Sequence, residues 1–460
     1  MREEIEMLTN RVEQLIELEA RDELVELIND QNISDVAELI NELPDHKKYV
    51  FSCLEMQRAV GVFRILEFNI QANIVKHLPP SKVAELINEL APDDRTAFLS
   101  EMPSSAVKEL IKLLVPEERK ITLSLLGYPE DSIGRIMTPD YIDVEPEWTV
   151  KQVMEYIRHY GRDSETIDVI YVTDRKGHLL DDIRIREFLL VEPATKVQDL
   201  MDERVISLNV MNTQNDVVNV FQKNNRVALP VVDDKNIMLG IITVDDVLWL
   251  AEEESTEDIQ KIGGTEAFDE PYLDVPLFKL FKKRVGWLVI LFLGEMLTAS
   301  AMSYFEGEIE KAVFLASFIP LIISSGGNSG SQASTLIIRA MALSEVTLRD
   351  WWNVLRRELL SGLMLGSVLG VIGFCRVVIW NTLFHSYGDH TVLVGLTIGC
   401  SLLGIVLWGT ISGSMLPIFL KRLGADPASS SAPFVATLVD VTGLVIYFSF
   451  AYMFLSGILL

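Results

Sequence analysis

Residues 426–443 read DPASSSAPFVATLVDVTG, and no further charged residue follows before the last residue, Leu460. The segment from Pro433 onward is long enough to cross a bilayer, and Asp440 is its only charged residue. A carboxylate in the middle of a span costs about 2.5–3.5 kcal/mol on membrane-insertion scales, so it normally faces water or a partner. We therefore predict that Asp440 lines an ion path. The alternative is a carboxyl that is kept protonated or hydrogen-bonded for packing.

Small side chains surround Asp440 in this segment. Ala432, Ala436, Thr437 and Gly443 leave room for close helix approach, or for an ion that keeps its water. No Lys or Arg lies within the segment to neutralise the carboxylate. The pattern favours a cation path.

The composition separates an acidic part of the chain from an apolar part. The 460 residues include 66 acidic and 40 basic side chains, a formal charge of −26, and most of the acids precede residue 275. We expect more than one domain, with an acidic soluble half joined to a membrane half. This charge argues against nucleic acid as a partner. The start, MREEIEMLTN, has no apolar core, so we expect no signal peptide and a soluble half that stays in the cytoplasm.

Residues 1–130 contain a helical repeat. The run VAELINEL occurs at 36–43 and again at 83–90, and looser copies begin at Val60 and Val107. A period of about two dozen residues is typical of one short helical hairpin per unit. We predict an all-α helical-repeat domain here, with a regulatory or spacer role.

Residues 131–258 have the pattern of a duplicated α/β module. Strand-like runs at 169–173 and 228–232 each precede a polar turn and a second apolar run. The copies occupy about 131–195 and 196–258, and the second closes on the run GIITVDDVL. This order of motifs resembles a tandem pair of CBS domains, which implies a ligand-sensing regulator.

A charged connector follows the α/β modules. Its start is rich in acidic residues, and its end, just before the first apolar span, carries the basic residues Lys282, Lys283 and Arg284. We predict a connecting helix over residues 259–284. Its charge run is typical of a solvated helix face, and the alternative is a helix that carries a signal between a sensor and the membrane.

Five apolar spans within residues 285–460 predict a five-helix α transmembrane domain. The basic residues of the loops fall on one side, which places the N-terminus inside and the C-terminus outside. Five helices are too few for an internally duplicated transporter, so we expect two chains to share one path on a two-fold axis. The predicted spans are 285–305, 312–340, 353–382, 391–420 and 433–458.

The second span contains the run PLIISSGGNSGSQ at 320–332. We expect its Gly-Gly-Asn-Ser-Gly part not to form a continuous lipid-facing helix but to line a cavity, with carbonyls or amides turned to water. The alternative is a tight helix crossing through small residues. Glu295, Arg339 and Arg376 receive no role from the pattern.

The GGNSGSQ run, the stretch 426–443, the CBS pair and the helical repeat occur together in one order. In this the chain resembles the MgtE magnesium channels over essentially its whole length. The resemblance implies a homodimer with five spans per subunit, a pore on the dimer axis, and hydrated Mg²⁺ held by Asp440 of both subunits. The residues that it assigns to the metal path are Asn328, Gln332, Ala436 and Asp440, with Asp426 at the cytoplasmic mouth.

The chemistry of Mg²⁺ agrees with this resemblance. Mg²⁺ dehydrates reluctantly and is usually held by one or two carboxylates with waters retained. Two Asp440 side chains on a two-fold axis would supply such a site, whereas Ca²⁺ would need more direct oxygen ligands. The implied partners are a second copy of the chain, Mg²⁺ and the lipid of the bacterial plasma (inner) membrane.

The resemblance also implies regulation by cytosolic Mg²⁺. The connecting helix would plug or release the pore as the ion binds clustered acids of the soluble domains and turns their repulsion into attraction. The stretches 212–216 and 224–228 have fewer acids than the family pattern implies, so we expect fewer regulatory sites. The expected regulatory ligands are Asp93, Asp94, Asp245, Asp246, Glu252, Glu254, Glu257 and Asp258.

Two other classes of function compete with this one. An ion-coupled secondary transporter of Mn²⁺, Co²⁺ or Ni²⁺ would show flux that depends on a proton or Na⁺ gradient. A membrane-embedded metalloprotease would need HExxH in a span, which the sequence lacks, so we expect no enzyme. Cys53, Cys375 and Cys400 form no CxxC pair, which argues against a zinc site or a disulfide framework.

Overall fold

The computed structural model describes residues 2–43, 45–268, 272, 275–343, 345–384, 387 and 390–459. The chain forms two units, Met1–Glu253 and Glu254–Leu460, and the boundary lies within one helix. The repeats and the α/β modules belong to the first unit, and the long apolar helices belong to the second.

Among the described residues, ten short helices form the first part of the chain, as the repeat predicts. Helices α3, α5, α7 and α9 begin at 33, 56, 80 and 104, which matches the predicted period. Each of them packs on the next one along this series, and α4, α6, α8 and α10 pack in the same way. The bounds are α1 Arg2–Glu17, α2 Arg21–Asp30, α3 Ile33–Glu42, α4 Lys47–Ser52, α5 Met56–Ile65, α6 Phe68–His77, α7 Pro80–Glu89, α8 Pro92–Glu101, α9 Ser104–Leu113 and α10 Pro116–Leu126.

The repeated run supplies the core of these helices. Val36, Leu39 and Ile40 of α3 are fully buried, and their counterparts in α7 are buried too. The spacing of three and four residues puts all three side chains on one helix face. The repeated sequence therefore becomes a repeated apolar stripe, and each helix buries its stripe against the neighbouring repeat.

Arginines close the ends of two of these helices. Arg95 donates from Nε to the Ile87 carbonyl at 2.7 Å and from a terminal nitrogen to the Leu90 carbonyl at 2.7 Å. Arg119, one repeat later, makes the same pair of bonds to the end of α9 at 3.0 and 2.9 Å. These bonds satisfy carbonyls that the end of a helix leaves without an intrahelical partner.

Two three-stranded sheets of identical topology follow, which confirms the duplicated α/β module. In each sheet a short first strand lies parallel to the central strand, and the third strand lies antiparallel to it. The central strands are fully buried along their length. The first sheet consists of β1 Asp143–Val144, β2 Val169–Thr173 and β3 Leu179–Arg184, and the second of β4 Leu208–Asn209, β5 Ala228–Val232 and β6 Met238–Thr243.

Helices flank these sheets and a last helix leaves the second one. Isolated backbone bridges, Thr138 with Ile241 and His178 with Ile237, join the two modules. The helices are α11 Val150–Tyr160, α12 Ile185–Leu189, α13 Gln214–Asn224 and α14 Val244–Ile262, with 3-10 turns at Ile133–Arg135 and Val197–Asp199.

The connector differs from the predicted helix over 259–284. Helix α14 ends at Ile262, and residues 263–268 are not helical. Gly264 has a φ of +75°, in the left-handed region that glycine adopts without strain and that commonly ends a helix. The next helix begins at Leu277, after Pro276. Two adjacent glycines thus end the connecting helix long before the membrane span begins.

In the described part of the chain, five helices are long and apolar enough to cross a membrane, as the sequence predicts. The first begins eight residues before the predicted span, because its basic N-terminal turns are helical as well. The bounds are α15 Leu277–Tyr304, α16 Glu306–Lys311, α17 Ile319–Ala342, α18 Trp351–Phe384, α19 Thr391–Arg422 and α20 Ala432–Leu455, with 3-10 turns at Val313–Phe318, Leu348–Asp350 and Pro427–Ser429.

Helix α19 lies at the centre of this bundle and packs against α17, α18 and α20, whereas α15 packs mainly on α20. Glycines let these helices approach closely: a Cβ added at Gly370 of α18 would lie 2.6 Å from the Gly399 carbonyl oxygen of α19. Only 6% of the most apolar 18-residue stretch of α15 is buried, whereas 50% of the corresponding stretch of α19 is buried. The outer face of α15 is therefore open in the single chain.

Candidate functional site

Helix α20 positions Asp440. The helix begins after Ser431, whose hydroxyl accepts a hydrogen bond from the Phe434 N–H at 3.4 Å, and it runs without interruption to Leu455. Pro433 lies in its first turn, where a missing N–H costs nothing. Asp440 lies about two turns after the first residue of the helix, Ala432, and is half-buried.

Two neighbouring helices meet Asp440. A Cβ added at Gly327 of α17 would lie 3.5 Å from Asp440 Oδ1 and 3.4 Å from the Ala436 Cβ, so this glycine lets α17 approach α20 beside the carboxylate. The Glu295 carboxyl of α15 lies within hydrogen-bond reach of Asp440. Sequence reasoning gave Glu295 no role, although it is the one acidic residue between Val285 and Tyr304.

The glycine run on α17 is helical. Gly326, Gly327, Ser329 and Gly330 are buried within the continuous helix Ile319–Ala342, which corrects the expectation of a non-helical cavity lining. A Cβ at Gly330 would lie 2.9 Å from Val435 Cγ1 and 3.1 Å from the Gly409 carbonyl oxygen. The structure thus shows the tight helix crossing that the sequence left as the alternative.

The two predicted polar residues of this run lie on its other side. Asn328 and Gln332 are four residues apart on α17, so they share one face, and both are exposed in the single chain. Asn328 Nδ2 donates to the Ser324 hydroxyl at 3.4 Å. The structure therefore brings Ala436 and Asp440 together with the glycines of α17, and it places Asn328 and Gln332 on the open surface of that helix.

Two serines of α17 hold the segment that leads into α20. The Ser334 hydroxyl of α17 donates to the Ser430 carbonyl at 2.9 Å, and Ser331 donates to the Ala432 carbonyl at 2.9 Å. From α15, Trp287 Nε1 donates to the Ser431 hydroxyl at 3.1 Å. Two helices thus anchor the segment that leads into α20.

Asp426 is already engaged at both carboxylate oxygens. Oδ1 accepts from the Ala428 N–H at 2.9 Å, which caps a 3-10 turn, and Oδ2 pairs with Lys261 Nζ at 2.7 Å. Lys261 also pairs with Glu257 at 2.6 Å. As a metal ligand at the mouth of a path, Asp426 would have to release this lysine or share the ion with its neighbours.

Three of the predicted regulatory acids lie around this ion pair and form, with Lys261 and Asp426, the Lys261 cluster. Burial, and then repulsion from Asp258 and Glu257, raises the pKa of Glu254. Burial and repulsion from Asp426 likewise raise the pKa of Asp258. The cluster therefore holds more negative charge than one lysine balances. Glu252 is exposed on α14.

A second group of acids, the Arg64 cluster, lies in the first unit. Arg64 of α5 pairs with Asp245 at 2.8 Å and with Asp246 at 3.3 Å, both at the start of α14. It also pairs with Asp94 of α8 at 3.3 Å and with Glu165 at 3.8 Å. The predicted acids Asp94, Asp245 and Asp246 do converge, but around a guanidinium. Sequence reasoning missed Arg64 and Glu165, which no local pattern distinguishes.

The carboxylates of this cluster carry excess negative charge. Burial, together with the neighbouring acids, raises the pKa of Asp94 to about 7, although Arg64 opposes this. Burial and nearby acids also raise the pKa values of Asp93, Asp246 and Glu165. Buried Asp93 Oδ1 has no hydrogen-bond partner among the described residues.

The acids are arranged loosely for direct metal binding. Within the described ranges, no group of three or more His, Cys, Asp or Glu side chains is close enough to hold a metal ion. A cation in these clusters, or beside Asp440, would therefore keep part of its water or take ligands from another chain. Mg²⁺ dehydrates reluctantly and usually keeps several waters when it binds to a protein.

Three sequence families match the chain in succession. Residues 31–131 match the MgtE intracellular N domain, residues 133–191 and 197–253 match the CBS domain, and residues 319–450 match the MgtE family described as a divalent cation transporter. The α/β modules and the helical repeats thus have the fold that the sequence predicts.

Curated relatives and solved structures agree. The chain is 40% identical to the magnesium transporter MgtE of Thermus thermophilus over 73% of this chain and 72% of that protein, and 30% identical to the Bacillus subtilis protein of that name over 92% of each. The cytosolic domain of the Mg²⁺ channel MgtE, solved in complex with ATP, aligns with a TM-score of 0.51 at 31% identity and covers 53% of this chain and 99% of that one. The soluble part of a magnesium transporter aligns with the same TM-score at 25% identity, over 55% of this chain and 99% of that one. The chain therefore belongs to the MgtE family.

Proposed function

We propose that this chain carries Mg²⁺ across the membrane through a path that Asp440 lines. The observation that carries the proposal is the placement of this carboxylate within a span, next to Gly327 of α17 and the Glu295 carboxyl of α15. A mid-membrane acid is costly and normally serves an ion or proton path. The relatives from Thermus thermophilus and Bacillus subtilis, both named magnesium transporters, support Mg²⁺ as the ion.

A second copy of the chain completes the path in this proposal. Asn328 and Gln332 are exposed on α17 of the single chain, and lipid offers no hydrogen bonds to their amides. A wet or protein-covered surface suits them better. Two copies on a two-fold axis would bring two Asp440 carboxylates to one hydrated Mg²⁺, which is the number of carboxylates that this ion commonly takes.

Cytosolic Mg²⁺ closes the path by binding the acidic clusters. The Arg64 cluster and the Lys261 cluster each hold more carboxylates than basic groups to balance them. An ion that binds the closed arrangement more tightly than the open one shifts the population toward closure. The regulation is thus a difference in affinity between two states, with no chemical reaction and no catalytic group.

The charge of the loops supports one orientation in the bacterial plasma (inner) membrane. Basic residues near membrane-span ends favour the cytoplasmic side. The proposed orientation has the N-terminus in the cytoplasm and the C-terminus outside. The basic residues are Lys282, Lys283, Arg284, Arg349, Arg356, Arg357, Lys421 and Arg422.

One observation favours a second candidate. Two carboxyls in contact can exchange a proton for a cation, so the Glu295–Asp440 pair would also suit proton-coupled secondary transport of Mn²⁺, Co²⁺ or Ni²⁺. Such coupling predicts uptake that stops when the proton gradient is collapsed with an ionophore. A Mg²⁺ channel predicts uptake that follows only the Mg²⁺ gradient and the membrane potential.

The test is Mg²⁺ uptake into liposomes that contain the purified full chain and a Mg²⁺-sensitive dye. Asp440→Ala should abolish uptake, or reduce it at least tenfold, while its melting temperature in detergent stays close to that of the wild type. Ser449→Ala is the matched control on α20, since Ser449 is exposed and, among the described residues, its hydroxyl donates only to the Val445 carbonyl of its own helix. Uptake at the wild-type rate by well-folded Asp440→Ala would refute the proposal.

A further inference from the structure

Helices α15 and α20 run side by side in the same direction, and their contacts determine the level of Glu295. Near the start of both helices, Trp287 bonds to Ser431 at 3.1 Å. Near the other end, the Phe305 and Phe448 rings stack with centroids 4.4 Å apart. In between, Gly294 is packed so closely against Thr437 that an added Cβ would overlap its side chain. Glu295 is therefore held at the level of Asp440.

These two carboxyls have no basic residue beside them in the spans that carry them. From Val285 to Tyr304, Glu295 is the only charged residue, and Asp440 is the only one in α20. Helix α17, which touches Asp440 through Gly327, has Arg339 near its end and no other charged residue. Two neighbouring anions in a low-dielectric region repel each other strongly, so a cation between or beside them is stabilised by both.

We infer that Glu295 is a second carboxylate of the ion path and sets its preference for divalent over monovalent cations. This inference rests on the proposed function. The attraction of a site for an ion scales with the product of their charges, so a second carboxylate favours Mg²⁺ over Na⁺ more than a single Asp440 does. Rings of Asp or Glu serve cation selectivity in the same way.

The arrangement also explains why Glu295 is exposed in the single chain. A charge on the lipid face of a span is costly, whereas the same charge next to Asp440 can reach the ion path. Mg²⁺ keeps its inner water, so the two carboxylates need only contact the hydrated ion.

The experiment compares Glu295→Gln, Glu295→Asp and Glu295→Ala in liposomes that contain the full chain. It measures Mg²⁺ uptake and the permeability of Na⁺ relative to Mg²⁺. Glu295→Gln keeps the size and the ability to form a hydrogen bond but removes the charge, so the preference for Mg²⁺ over Na⁺ should fall about tenfold. Glu295→Asp keeps the charge and should retain most of the preference. Glu310→Gln, which neutralises an exposed acid on α16, is the charge-matched control and should behave as the wild type.

The outcomes separate the two proposals. If Glu295→Gln selects Mg²⁺ as the wild type does while Glu295→Ala loses transport, Glu295 merely positions Asp440 by hydrogen bonding, and the inference is overturned. If both variants keep wild-type selectivity and rate, Glu295 lies outside the path, and the inference is again overturned. A wild type that passes no Mg²⁺ would instead overturn the proposed function itself.

Discussion

Single residues decide how the acidic cluster of the first unit can respond to ions. Arg64 places a positive charge at 2.8 to 3.8 Å from four carboxylates. The guanidinium therefore already neutralises part of the negative charge that a divalent ion would neutralise. It links α5 of the helical repeats to the start of α14. Part of the attraction between the repeats and the second α/β module is therefore present without metal.

Arg64→Gln should make this contact depend on divalent ions. Without the guanidinium, Asp94, Asp245 and Asp246 repel one another, so amide hydrogen exchange in α5 and α8 should speed up on the order of tenfold in chelator. Millimolar Mg²⁺ should largely restore protection, whereas protection of the wild type should depend much less on Mg²⁺. Lys82→Gln removes an exposed lysine that pairs with Glu85, and it serves as the control. Equal exchange in wild type and Arg64→Gln would show that Arg64 adds nothing to the contact.

The response of this cluster should also depend on pH. The pKa of Asp94 is raised from 3.8 to about 7, first by burial, so the carboxyl binds a proton more readily in the formed cluster than when exposed. Proton binding therefore stabilises the cluster at low pH, and this stabilisation is lost as pH rises from about 4 to 7. Below about pH 7, a divalent ion must displace the proton from Asp94 before it can bind there. Protection of α8 by Mg²⁺, measured by hydrogen exchange and corrected for intrinsic rates, should be greater at pH 8 than at pH 6. Asp94→Asn should flatten the difference, and an equal Mg²⁺ effect at both pH values would contradict this account.

Residues differed in how well the sequence predicted them. Asp440 could be predicted because a lone charge in an apolar run is a local signal. Glu295 carried the same signal, but its importance depends on which helix lies beside α15. Arg64 had no signal, because its partner Asp246 is 182 residues away along the chain and only the fold brings them together.

At the scale of elements, glycine had two opposite effects that sequence reasoning reversed. The glycine run of α17 was expected to interrupt a helix, yet it lies in a continuous one because small residues let α17 and α19 cross closely. The pair at 263–264 was expected inside a helix, yet it ends α14. Glycine permits both outcomes, and the packing around it decides which one occurs. The long apolar spans and the repeats were predictable because their periodicity extends over many residues.

The same substitution at two glycines should separate these effects. A Cβ at Gly330 meets Val435 Cγ1 at 2.9 Å and the Gly409 carbonyl at 3.1 Å, whereas a Cβ at Gly286 meets nothing within 4 Å. Gly330→Ala should therefore destabilise the bundle by about 1–3 kcal/mol through overpacking. Gly286→Ala should be neutral, or stabilising by up to about 1 kcal/mol, because alanine favours a helix. Melting of the two variants in detergent checks this, and a Gly330→Ala variant that melts as high as Gly286→Ala would contradict it.

At the scale of the whole molecule, composition already predicted the division into an acidic part and an apolar part. The formal charge of −26 lies mostly before residue 275, and the five apolar helices follow. The order of the modules was predictable because each has its own sequence pattern. How two copies would pair was not predictable in the same way, since one chain's sequence does not record which exposed residues another copy covers.

The Lys261 cluster links the end of α14 to the loop before α20 within the second unit. Lys261 pairs with Asp426 at 2.7 Å and with Glu257 at 2.6 Å, while Glu254 and Asp258 add negative charge close by. A divalent ion entering this cluster would be attracted by all four acids and would strengthen the link. In the proposed function this is the point at which cytosolic Mg²⁺ acts on the membrane helices.

Neutralising these acids should leave a transporter that conducts but closes poorly. The variant Glu254→Gln/Glu257→Gln/Asp258→Asn keeps the Lys261–Asp426 pair, so it should fold and take up Mg²⁺ at low cytosolic-side concentration. The Mg²⁺ concentration that halves its flux should rise about tenfold or more, because the bound ion loses three of the charges that favour it. Flux into liposomes with Mg²⁺ set independently on each side measures this, and Glu306→Gln, which neutralises an exposed acid at the start of α16, is the control. Closure of the triple variant at the wild-type concentration would show that Mg²⁺ closes the path without this cluster.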